Sequence, residues 1–526
     1  MNKHQLTIIL ILLSLLTLTP VLAEPARNPV IWADVPDVAV IRVGDTYYMS
    51  STTMHMSPGL PIMKSKNLAN WEMLTYAYDR LVENDAMNLE NGQNAYGRGS
   101  WASCLRYHNG TYYATTFSST SGRTHIYTTK DIEKGDWKAS SFSPSLHDHT
   151  LFFDDDGRVY MIYGGGKLTL VELLPDLSGI KPGGVNKVII ENANLLFGKN
   201  EVGGLNGEGS QLIKVSGTYY LLNIGSPRSR WSRSVLIHRA EKITGPYEGR
   251  VGLEDRGVAQ GCLIDTPDGK WYAMLFQDNG SVGRSPWLVP VTWEDGWPVF
   301  GIDSKAPATI DIEDSEKLLD SNIVASDEFN RKPGEPLPLA WQWNHNPDNR
   351  YWSIGERSGY LRLTTGQMNS GILQARNILT QRTSGPMSSA TTKIEVAHMK
   401  DGDCAGLIAL QRKFGYVGVK MEDDNKSIVM VSAQSNRSEE IKSVSLTQLT
   451  VYLKIDCDFR DRTDKAYFYY SLDGKTWTKI GSVLQMAYTL PHFMGYRFGL
   501  FNYATKTTGG FVDFDFFHVS DEISAE

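Results

Sequence analysis

One short pattern constrains this chain more than any other: a tight polar turn running into an aromatic strand, five times over. It reads Gly44-Asp45-Thr46-Tyr47-Tyr48, Asn109-Gly110-Thr111-Tyr112-Tyr113, Asp156-Gly157-Arg158-Val159-Tyr160, Ser216-Gly217-Thr218-Tyr219-Tyr220 and Asp268-Gly269-Lys270-Trp271-Tyr272. Polar-Gly pairs supply the positive φ of a hairpin turn, and the residues after them alternate as a strand does. The last Tyr of each unit falls at 48, 113, 160, 220 and 272, spacings of 65, 47, 60 and 52 residues. That is about the length of one four-stranded propeller blade with its loops. Five units predict five blades. The 48 Gly, the 13 Trp, 25 Tyr and 18 Phe, and a charged fraction of 21% agree with an ordered all-β protein and exclude coiled coil and disorder.

The pattern stops near Gly301. Residues 303–325 carry Lys305, Pro307 and the charged run Asp311, Glu313, Asp314, Glu316 and Lys317, which reads as a linker with at most a helical turn. Beyond it strands recur with another rhythm, among them Tyr360–Thr364, Ala405–Leu410, Tyr416–Lys420, Val451–Ile455 and Gly510–Phe516. A second all-β domain over 326–526 follows, of the two-sheet jelly-roll sandwich type. The propeller is assigned to 24–302.

Residues 1–23 have a short Lys3-His4 head, an apolar run from Leu6 and the small-x-small site Val21-Leu22-Ala23, the form of a signal peptide cleaved after Ala23. The apolar run is shorter than the roughly 20 residues a membrane span needs. Secretion, to the periplasm, is the expectation, with no membrane association after cleavage. Fifty-two Lys and Arg against 59 Asp and Glu give a net charge of −7, so nucleic acid is not an expected partner. Cys104, Cys262, Cys404 and Cys457 are widely spaced, without a Cys-x-x-Cys pair, so neither zinc nor a disulfide is expected.

In a propeller the first strand of each blade lines the channel, so polar residues just ahead of the aromatic turns converge. Three carboxylates occupy that place: Asp37 before the first turn, Asp148 before the third and Glu208, between two glycines, before the fourth. Opposed carboxyls about a glycosidic bond are what inverting hydrolysis requires, one ionised to take a proton from water and one neutral to protonate the departing oxygen, about 6.5–9.5 Å apart. A charged Asp148 beside Glu208 would hold the proton on Glu208. Trp101 would stack on the sugar ring and Arg284 would grip its hydroxyls. Asp34, three residues before Asp37, competes for the role of base.

At these residues the chain resembles glycoside hydrolase family 43, in its form with a five-bladed propeller followed by a β-xylosidase-type sandwich. Pro36-Asp37-Val38 resembles the Pro-Asp-Pro opening motif whose Asp is the general base, and Gly207-Glu208-Gly209-Ser210 the Glu-Gly of the general acid. Asp148 precedes Leu151 to Gly157, which is similar to the stretch after the pKa-modulating Asp. Gly99-Ser100-Trp101-Ala102 and Gly283-Arg284-Ser285 resemble substrate-contacting segments. Val38 replaces the usual Pro. Gln260-Gly261 replaces a His-Gly whose His holds a channel cation, which leaves Gln260 to contact an ion or water and weakens the expectation of Ca²⁺.

The resemblance implies an inverting, exo-acting enzyme that needs no cofactor and works as a monomer on pentose-containing oligo- or polysaccharides. It implies release of terminal α-L-arabinofuranosyl units from arabinoxylan, arabinan or xyloglucan side chains, with β-D-xylosidase activity the alternative, since a kcal/mol or two separates the two pentoses. The appended sandwich is expected to narrow the mouth of the site in a structural role. From a different class, a non-catalytic carbohydrate-binding propeller is the rival, and the presence of all three carboxylates argues against it.

Overall fold

The computed structural model describes residues 24–314, 318–332, 334–435 and 437–524. Residues 1–23, read as the signal peptide, lie outside the described residues. No helix among the described residues is long and apolar enough to cross a membrane.

Five four-stranded antiparallel sheets follow one another along the chain, each built from successive strands save that one short strand is looped out of the first. Their first strands are Ala39–Val43 (blade I), Cys104–His108 (II), Thr150–Phe153 (III), Leu205–Val215 (IV) and Ala259–Asp265 (V). These strands neighbour one another in the order I–II–III–IV–V–I and line the channel. The repeated motif is in every case the hairpin from first to second strand, and both turn residues are left-handed at Asn109-Gly110 (φ 48° and 75°) and Ser216-Gly217 (φ 48° and 85°).

The aromatic doublet after each turn closes the ring. Successive strand residues face opposite sides of a sheet, so the first of the pair meets the preceding blade and the second the following one. Tyr48 and Tyr112 share the core between blades I and II, and Tyr113 and Val159 the core between II and III. Tyr160 and Tyr219 meet between III and IV, Tyr220 and Trp271 between IV and V, and Tyr272 and Tyr47 between V and I. One dipeptide per blade thus seeds all five cores.

The segment read as a linker contains a strand. Thr309–Asp314 pairs antiparallel with Glu24–Arg27, a pairing that a charge-rich local reading could not anticipate because its partner lies at the other end of the propeller. Asn28 adds hydrogen bonds to Leu288 and Pro307 carbonyls, at 2.8 and 2.9 Å, fastening the start of the chain across blade V.

The sandwich stacks two eight-stranded sheets over a continuous apolar core that includes Trp341, Leu407, Phe468, Phe498 and Phe514. All four cysteines are buried and unpaired. The two domains are stitched together: Met56–Ser57, from a loop of blade I, adds a strand to the sandwich at Gln342–Asn344. Around that seam His55, Tyr96, His345 and His492 pack ring on ring, with Tyr96 and His492 stacked at 4.1 Å.

Burial holds His55 near 3 and pushes His345 and His492 well below the usual imidazole range. These rings are uncharged in the folded protein, whereas the unfolded chain takes up protons below about pH 6.5. Stability is therefore lost as pH falls below that value, by up to about 1.4 kcal/mol per histidine per pH unit. A thermal unfolding midpoint that falls steadily on acidification is the expected result, measured by calorimetry of the whole chain.

Candidate active site

Asp37 and Asp148 stand at equivalent places, two residues before the first strands of blades I and III, and both have left-handed backbones, φ 54° and 48°. Non-glycine residues at positive φ are uncommon and persist only where their surroundings hold them. The Pro36 carbonyl is pinned by the Ser51 hydroxyl at 2.8 Å and the Thr52 amide at 3.1 Å. The Asp148 carboxylate accepts the Gly209 amide at 2.9 Å, and its carbonyl accepts the Ser210 amide at 3.2 Å.

Glu208 is aimed by a different device. The pairing of its strand with Thr218–Ser226 slips on both sides of Glu208, a pair of bulges that turns its side chain out of the regular alternation. The flanking glycines permit this: a Cβ on Gly207 would lie 2.5 Å from the Ala193 side chain, and one on Gly209 2.5 Å from Gln260. In a five-membered ring blades III and IV are the two not adjacent to blade I. Asp37 therefore faces Asp148 and Glu208 across the channel mouth.

Asp37, 5% exposed, is ion-paired to Nη1 of Arg284 at 2.8 Å. Arg284 itself is 2% exposed and lies between the Phe276 and Phe493 rings, its Nε and Nη2 buried without a hydrogen-bond partner. Read from the sequence as a grip on sugar hydroxyls, Arg284 has Asp37 as its partner in the structure, a carboxylate it orients. Asp34 is bound by backbone amides. Its two carboxylate oxygens accept the amides of Arg284 at 2.8 Å and of Gly495 in the sandwich at 2.9 Å, leaving it a joint between domains. Asp34→Ala orphans both amides, at about 1–3 kcal/mol each. A lower unfolding midpoint is expected, read by thermal denaturation.

On the opposite wall Asp148 is 6% exposed, and its carboxyl is raised to about 7 by burial and by the charges of Glu208 and Asp37, against the pull of His147 and the Gly209 amide. The sequence reading has a charged Asp148 acting on Glu208. In the structure Asp148 is itself raised, chiefly by its own burial. His147 completes the cluster, its Nε2 3.1 Å from Glu208 Oε2 and 3.9 Å from Asp148 Oδ2.

Aromatic rings line the rest. Trp101, half-buried, lies 6.3 Å from Phe117 and 4.8 Å from Phe493, and Phe117 meets His147 edge-on at 5.2 Å. Phe493 comes from the sandwich and has a left-handed backbone, φ 52°. The second domain thus contributes a wall of the site as well as support. Nothing local in the sequence marks Phe493, whereas His147 adjoins Asp148 and could have been weighed.

Gln260 lies at the analogous place in blade V, with φ 51°, and packs on Gly209. Farther down the channel the Gln211 amide donates to the Ser103 carbonyl at 3.2 Å, and the Arg106 guanidinium binds Thr150, Gln211 and the Leu151 and Leu212 carbonyls. Among the described residues, one group of three metal-ligating side chains comes together, His147, Asp148 and Glu208, and it is the site itself. A cavity of about 340 Å³ at the hairpin end is lined by Arg42, Arg106, His108, Phe153 and Lys214, with Arg42 paired to Asp265 and Lys214 to Asp154.

Opposed carboxyls at the mouth of a five-bladed channel are joined by a match in sequence: residues 26–298 match Glycosyl hydrolases family 43. The chain belongs to that family. Residues 326–520 match the Beta xylosidase C-terminal Concanavalin A-like domain. A beta-xylosidase of Formosa agariphila is 29% identical, covering 93% of this chain and 89% of its own length. A non-reducing end alpha-L-arabinofuranosidase of Bacteroides ovatus is 27% identical over 78% of each. Among solved structures, a bifunctional GH43-CE protein of Bacteroides eggerthii has a TM-score of 0.93 and 60% identity, covering 95% of this chain. This family 43 chain spans 64% of that protein's length.

Proposed function

We propose that this family 43 hydrolase removes terminal non-reducing α-L-arabinofuranosyl units from hemicellulose side chains by a single inverting displacement. The observation that carries the reading is the division of the mouth: Asp37 paired with Arg284 on one side, and the partly exposed Glu208 with Asp148 on the other. Asp37 takes a proton from water as that water attacks the anomeric carbon, and Glu208 delivers its proton to the departing oxygen. Asp148 orients Glu208 through the Gly209 amide. Trp101 and Phe493 offer faces for the sugar, and Phe493, reaching in from the sandwich, favours attack on chain ends and side branches. No metal enters the reading. Secretion to the periplasm and action as a monomer belong to it.

The name carried by the Formosa relative favours a second reading, β-D-xylosidase, while the Bacteroides ovatus relative supports the first. Initial rates on aryl α-L-arabinofuranoside and aryl β-D-xyloside decide between them. A higher kcat/KM on the arabinoside is expected; a xyloside preference installs the second reading, and inactivity on both pentosides overturns both.

A further inference from the structure

His147 has no part in the roles assigned so far, yet it is the group closest to Glu208. It sits at the start of blade III with its carbonyl fixed by the Gly164 amide at 2.9 Å and its ring edge-on to Phe117. The Gly165 backbone runs beside the pair, a Cβ there lying 3.4 Å from Glu208 Oε2 and 3.7 Å from His147 Cδ2 and Nε2. The charged and titratable groups around it are few. Glu208 from blade IV and Asp148 on its own segment lie within 4 Å, at 3.1 and 3.9 Å, and Asp37 acts on Asp148 from across the channel. His149 beside it is buried, its two nitrogens bonded to Thr115 and to the Leu146 carbonyl. Lys167, two residues beyond Gly165, pairs with Glu191 at 3.9 Å.

An imidazole between two carboxyls is held in its cationic form, and a cation in contact with a carboxyl makes that carboxyl a stronger acid. We propose that His147 is the residue that sets the acidity of Glu208, a positioning residue acting as a fixed positive charge that steadies the carboxylate left on Glu208 after it has given up its proton. This rests on Glu208 being the general acid. Burial alone would lower the imidazole, but the Glu208 hydrogen bond and the two carboxylate charges lift it to about 9. The contacts at 3.1 and 3.9 Å are what favour the charged ring at this place.

The test is the pH dependence of kcat/KM for His147→Gln and His147→Lys in the full chain. The alkaline limb of that profile reports the general acid in the free enzyme. Removing a positive charge at this distance raises the carboxyl it touches, so the limb of His147→Gln moves to higher pH by about one unit or more. Its activity falls most on substrates with poor leaving groups, because the acid is weaker. His147→Lys, which keeps the charge, holds the limb near its natural place. A limb that stays put or moves to lower pH in His147→Gln overturns the proposal, whatever the loss of activity, and so does a limb that moves equally in both variants. Circular dichroism and unfolding midpoints establish that both variants fold. Glu208→Gln measured alongside separates the two levels: full activity there removes Glu208 as the acid, while its inactivity together with an unmoved limb in His147→Gln rejects the role of His147 alone.

Discussion

Glu208→Gln lowers kcat on pentosides with poor leaving groups by about 10²–10⁴-fold, the contribution of a positioned general acid. The loss shrinks on dinitrophenyl pentosides, whose leaving group departs without a proton. Stability is expected to hold. The Glu208 side chain is 31% exposed, its strand is fixed by backbone pairing, and Gln has nearly the same shape. Rates against leaving-group basicity, with unfolding midpoints, check both halves. A loss that is uniform across leaving groups contradicts the role of acid.

Asp37→Asn is the second large effect and differs in both respects. The amide cannot take a proton from the attacking water, so activity falls by about 10²–10⁴-fold on good and poor leaving groups alike. It also strips the Arg284 guanidinium of its buried counter-charge, at 2.8 Å and with both groups almost fully enclosed. Breaking a buried ion pair from one side costs about 3–5 kcal/mol. The unfolding midpoint is expected to fall for Asp37→Asn and to hold for Glu208→Gln. Equal stabilities would contradict the reading of Arg284 as the fixed partner of the base.

The propeller was legible because its signal is local and repeated. A turn that needs positive φ and a doublet that sends one ring to each neighbouring blade are both written within five residues, as Asn109 to Tyr113 illustrates. Asp37, Asp148 and Glu208 were legible because a residue's distance from its hairpin fixes its height in the channel, and the structure brings all three to one mouth. What the chain hides is tertiary. The strand Thr309–Asp314 forms only because Glu24–Arg27 lies beside it. Arg284 looked like a free donor because nothing near it in sequence announces Asp37, 247 residues away. Asp34 and Asp37 look alike in the sequence until the Gly495 amide of the second domain claims one of them. Phe493 reaches the site by the docking of the sandwich, which no local pattern encodes.

The measurement that tests the central claim most directly is the configuration of the sugar first released, followed by proton NMR before mutarotation. Direct attack of a water activated by Asp37, with Glu208 as acid, predicts that an α-L-arabinofuranoside yields the β-anomer, or a β-D-xyloside the α-anomer. Release with the configuration of the substrate retained would require a covalent intermediate on the enzyme and would contradict the assignment of Asp37 and Glu208.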